Sequence, residues 1–91
     1  MYKFTVAIPT YNSSAYLKEC ILGFKNSAHL DEIIIGDDCS NEIEVKKIKL
    51  IINEVKKIMT CKISFIENKE NIGAYKNKYN LISNSRNQLV Y

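Results

Sequence analysis

Two carboxylates stand side by side at Asp37 and Asp38, directly after the apolar run "IIIG". Adjacent acids repel, so both ionise only where solvent, a cation or hydrogen-bond donors receive them. A carboxylate so placed can accept the N–H of a nucleobase or a ribose hydroxyl; the alternative is an acidic loop that merely starts a helix. Two more clusters carry comparable chemistry, Pro9-Thr10-Tyr11-Asn12 and Asn71-Ile72-Gly73. Tyr11 is either a half-buried ring covering a sheet edge or a flat face on which a base stacks. Stacking of that kind contributes roughly 1–3 kcal/mol in single-stranded nucleic-acid systems. The acid pair favours the second reading, because an aromatic face plus an acceptor for a ring N–H suits uracil. Lys76 and Lys78, just after Gly73, can anchor phosphates or simply cover a solvated helix face. Cys39 follows two acids, whose charge works against a thiolate, so it is not read as a nucleophile.

Strands and helices in alternation must position these clusters. Phe4 to Ile8 reads as a short buried strand that Pro9 ends, for lack of an N–H. Ser13 or Ser14 can cap the next helix, where Leu17, Cys20, Ile21 and Phe24 fall on one face. Asp31 to Gly36 is a second strand, and its three isoleucines suit a parallel sheet covered on both sides. Asn41 and Glu44 have capping-box spacing before the clearest helix. Its apolar stripe is Ile48, Ile51, Ile52, Val55, Ile58 and Met59. Lys62 to Asn68 is a third strand, and Asn71 and Gly73 make a turn. Ala74 to Ser83 is a weaker helix, since Asn and Tyr are poor formers. Residues 84–87 break it, and "QLVY" begins a fourth strand. The order implies an α/β fold: a Rossmann-like three-layer sandwich with a mostly parallel sheet of about four strands and helices on both faces. In such sheets ligands bind at the carboxyl ends of the strands, near the point where strand order reverses. All three clusters follow a predicted strand and precede a predicted helix.

Composition narrows the function classes. With 91 residues there is room for one domain at most. The final strand lacks a closing helix, so residues 1–91 are expected to be the N-terminal part of a larger domain. The net charge of +3 arises largely from Lys46, Lys47, Lys49, Lys56 and Lys57, which share a predicted helix with acids. Aromatics do not interleave with them, so a solvated face is expected and no nucleic-acid partner. Three widely spaced cysteines and one histidine suggest neither a disulfide framework nor a zinc site, and fit a reducing cytoplasm. No run reaches the roughly 20 apolar residues that span a bilayer, and the N-terminal apolar run is too short for a signal peptide. Three glycines allow neither G-x-G-x-x-G nor a Walker loop.

Taken together, "TVAIPTYNSSAYLKECI", "DEIIIGDDCS", "ENIGAYKNKYN" and "NQLVY" resemble the N-terminal half of family-two glycosyltransferases with the GT-A fold. The resemblance runs the length of the chain. It implies that Pro9, Thr10, Tyr11 and Asn12 line a nucleotide pocket, with Tyr11 on the base. It implies that Asp38 contacts uracil while Asp37 supports the loop, and that Asn71, Gly73 and Lys78 approach the nucleotide. The family often has arginine where Lys78 stands, and lysine loses the bidentate fork. The implied donor is a UDP-sugar. The implied Mg²⁺ or Mn²⁺ would be held by a D-x-D motif beyond Tyr91, and no metal ligand is assigned here. The catalytic base and acceptor site would lie further on. The intact enzyme would invert configuration, typically in cell-envelope or capsular polysaccharide synthesis. It would be cytoplasmic, with membrane attachment through later segments left open.

Two other classes compete. One is a receiver-like signalling module, although there the acid pair normally follows the first strand. The other is a fragment that acts by association, pairing as a homodimer through an exposed edge at or near the last strand.

Overall fold

The computed structural model describes residues 3–73, 76–77, 80–81 and 88–90. Strand β1 (Phe4–Thr10) leads through a 3-10 turn (Ser14–Tyr16) into helix α1 (Leu17–Leu22). Strand β2 (Leu30–Asp37), helix α2 (Glu42–Lys56), strand β3 (Lys62–Glu67) and strand β4 (Gln88–Val90) follow. Residues 76–77 and 80–81 are helical, within the segment where the weaker helix was expected. The sheet has the order β3-β2-β1-β4, and every pairing is parallel. Strand order therefore reverses beside β1.

The isoleucine run explains the layers. Successive strand side chains alternate between faces. Ile33 and Ile35 join Val6, Leu17, Ile21, Ile48, Ile52 and Val55 under α1 and α2. Ile34 points the other way and packs with Ala7 and the helical Leu81. Gly36 continues the Ile34 face, where a Cβ would lie 2.4 Å from Leu81 Cδ2. Glycine is there because the helical segment lies directly on the strand. The expected α/β sandwich with a parallel four-stranded sheet is thus the observed architecture. Among the described residues no helix is long and apolar enough to cross a membrane.

Several local expectations need correction. Pro9 does not end β1; it pairs with Gly36 inside the ladder. The Thr10 carbonyl accepts from the Asp38 N–H on the β2 side, so the alternate residue Pro9 turns its nitrogen away from β2. On that side the described β4 pairs with β1 as far as Val6. Neither Ser13 nor Ser14 caps the first helix through its side chain. Ser13 Oγ accepts from the Tyr11 N–H at 3.3 Å, and the Ser14 hydroxyl donates to Glu44 Oε2. Cys20 is exposed, because the short α1 turns Leu17 and Ile21 inward. Asn41 caps α2, accepting from the Glu44 N–H at 3.0 Å, but Glu44 spends its carboxylate on Ser14 instead of returning the bond. Ile58 is 44% exposed. The end of α2 tightens into bonds from Lys57 N to Glu54 O and from Ile58 N to Val55 O, which swings Ile58 outward. Val45 takes up the buried stripe at the other end.

Candidate functional site

Asp37 is the last residue of β2 and pairs with Thr10, the last of β1. It is fully buried. Its Oδ1 accepts from the hydroxyls of Thr10 at 2.9 Å and Ser40 at 2.6 Å, and its Oδ2 from the Ser40 N–H at 2.9 Å. Three donors answer the repulsion that the acid pair creates. The Asp37 carbonyl also accepts from the Asn68 N–H at 2.9 Å, so the carboxyl ends of three strands are tied together. Beside this anchor, Asn12 adopts φ +50°, a left-handed conformation that asparagine tolerates. Its N–H donates to Ser40 Oγ at 2.8 Å, and its Oδ1 accepts from the Asn41 N–H at 3.3 Å. The bend at Asn12 leaves Tyr11 54% exposed. Tyr11 is therefore an accessible ring at the end of β1, not a half-buried edge cover.

Asp38 follows β2 and is 3% exposed. Its Oδ1 accepts from Ile72 N at 2.8 Å and Asn68 Nδ2 at 3.3 Å, and its Oδ2 from Gly73 N at 2.9 Å. Gly73 N also lies 2.9 Å from Asn71 Oδ1, as in an Asx turn, and Gly73 has φ +86°. That angle is where glycine is favoured. The Asn-x-Gly loop is thus fastened to the acid pair.

These loops enclose a cleft of about 240 Å³ lined by Pro9, Thr10, Tyr11, Asp38, Asn71, Gly73 and Asn77. Six of the nine residues expected at the site meet there. Asn12 and Asp37 do not line it and act behind it, and Lys78 lies outside the described residues. Lys76 is helical and exposed. Asn77 was not anticipated from sequence. It is 1% exposed, with Nδ2 donating to the Gly36 carbonyl at 3.0 Å and Oδ1 accepting from Asn68 Nδ2 at 3.0 Å. Between two lysines in "YKNKY" its only signal was position, four residues after Gly73. The acid pair, with Asp38 in the cleft and Asp37 behind it, does not fit a divalent cation, which takes several carboxylate or carbonyl oxygens at once. Each oxygen of Asp37 and Asp38 already accepts at least one N–H or hydroxyl donor, which orients both carboxylates toward donors instead of converging them on a cation.

Residues 5–91 match the family model described as Glycosyl transferase family 2. The chain belongs to that family. Among solved structures, this family-2 chain is similar to the mannosyltransferase PcManGT from Pyrobaculum calidifontis, determined in complex with GDP-Man and Mn²⁺. The TM-score is 0.73 at 15% identity, over 93% of this chain and 25% of that one. At that identity the likeness establishes the GT-A fold. The family-2 chain spans about a quarter of the mannosyltransferase's length. No curated protein matches it.

Proposed function

We propose that this chain is the donor-nucleotide part of a glycosyltransferase that moves a sugar from a UDP-sugar to an acceptor hydroxyl with inversion. One observation carries the reading. An exposed Tyr11 ring and a buried Asp38 carboxylate line the same cleft, at the carboxyl ends of parallel strands. The ring offers a stacking face, Asp38 an acceptor for a base N–H, and the Asn71–Gly73 loop a wall. Asp37, Ser40 and Asn12 hold the ring's loop in place. Family membership supports transfer chemistry, and the ligands of the mannosyltransferase support a nucleotide-sugar donor with a divalent cation. No residue of this chain is assigned to the cation, to the base that deprotonates the acceptor or to the acceptor site. The chain alone binds nucleotide and transfers nothing. The reading places the intact enzyme in the cytoplasm, in cell-envelope or capsular polysaccharide synthesis. The receiver-like alternative loses its ground, because the chain's family is a glycosyltransferase one.

Calorimetric titration tests this. UDP is expected to give saturable heat that inorganic diphosphate does not. Tyr11→Ala is expected to weaken UDP binding roughly tenfold, the loss of one stacking contact, without lowering stability. Equal heats for UDP and diphosphate would remove the base-binding claim, and tighter binding of GDP than UDP would correct the base.

A further inference from the structure

Asn77 sits at the head of a relay whose polarity is fixed from one end. The Gly36 carbonyl can only accept, so Asn77 must turn Nδ2 toward it, at 3.0 Å. Its Oδ1 then faces Asn68, which must answer with Nδ2 at 3.0 Å. The same Nδ2 reaches Asp38 Oδ1 at 3.3 Å. Among the described residues, Asp38 Oδ1 thereby receives two donors, Asn68 Nδ2 and Ile72 N, whereas Oδ2 receives one, Gly73 N. The spare accepting capacity of the carboxylate is left on Oδ2. Asn77 also donates its own N–H to the Gly73 carbonyl at 3.0 Å, closing the circuit on the loop that Asp38 holds. Burial of Asn77 and Asp38 gives each link weight, because a polar group cut off from water is costly when unpaired.

We propose that Asn77, acting through Asn68, is a positioning residue that sets the orientation of the Asp38 carboxylate and so the base preference of the cleft. The proposal rests on the nucleotide reading above. A carboxylate held with one free acceptor suits a base presenting a ring N–H, as uracil does. It repels one presenting a ring acceptor, as cytosine does. Without the relay Asp38 is free to turn toward water, and the distinction fades.

Two measurements on the 91-residue chain keep this reading separable from the one it rests on. Amide hydrogen exchange needs no ligand. In Asn77→Ala and in Asn68→Ala, the Ile72 and Gly73 amides are expected to exchange roughly tenfold faster, while Ile33 and Ile35 in the core keep their rates. Should Asn77→Ala lose core protection as well, Asn68→Ala decides, since that side chain is only half-buried. Unchanged Ile72 and Gly73 exchange in Asn68→Ala would overturn the relay. Titration with UDP and CDP reads the second half. The preference for UDP over CDP is expected to fall about tenfold in both variants, mainly through weaker UDP binding. A preference as strong as that of the unaltered chain would overturn the link to base choice. If the unaltered chain binds neither nucleotide, both the nucleotide reading and base selection fall, and the exchange data still decide whether the relay holds Asp38.

Discussion

Asp37 and Asp38 are identical side chains in adjacent positions, yet their surroundings give them different tasks. Asp37 ends β2 and is consumed by Thr10 and Ser40, behind the cleft. Asp38 lines the cleft and fastens the Asn71–Gly73 loop. Asp37→Asn keeps the shape but cannot keep the bonds. With its oxygen toward the two hydroxyls, the new NH₂ meets the Ser40 N–H donor to donor. We expect a loss of about 2–3 kcal/mol, seen as a lower urea midpoint at unchanged slope. A variant as stable as the parent would show that Asp37 is not the anchor. The sequence marked both acids, Tyr11 and the Asn-x-Gly loop, because acid pairs, strand-end aromatics and turn glycines have local signatures. It did not mark Asn77 or Asn68, whose roles come from partners distant in the chain, Gly36 and Asp38. Nothing in the composition of "YKNKY" distinguishes a buried asparagine from an exposed one.

Among the elements, α2 shows which sequence signals survive folding. The 3.6-residue stripe is real, with Ile48 and Val55 fully buried against β1 and β2. Periodicity failed only where the helix stopped being α-helical, and Ile58 left the stripe there. The two isoleucines therefore part company. Ile48→Ala is expected to cost about 2–5 kcal/mol through lost burial and a cavity. Ile58→Ala is expected to stay within about 0.5 kcal/mol of the parent. Thermal or urea unfolding of the pair checks both, and equal costs would contradict the assigned end of α2. The Lys18–Glu54 ion pair, at 2.7 Å between α1 and α2, is exposed and adds little. Pro9 teaches a related lesson. A missing N–H stops a strand only on the side where a partner waits, and sequence does not say which side that is.

At the scale of the whole molecule, the order β3-β2-β1-β4 puts β4 at one edge, paired among the described residues with β1 alone. The opposite edge, β3, carries exposed Lys62 and Glu67, charges that discourage pairing. We expect chains to associate weakly and reversibly along β4. Sedimentation equilibrium should show mass rising with concentration, and a clean monomer throughout would count against it. The parallel order was legible because alternating strands and helices leave few other arrangements. The same order gathers residues as distant as Tyr11 and Gly73 into one cleft. That gathering is the central claim, and an NMR titration of the labelled chain with UDP tests it most directly. Amide shifts are expected to saturate together at Tyr11, Asp38 and Gly73, and to leave the far ends of the strands unmoved. A folded sample with no shift at those three residues under excess UDP would contradict it.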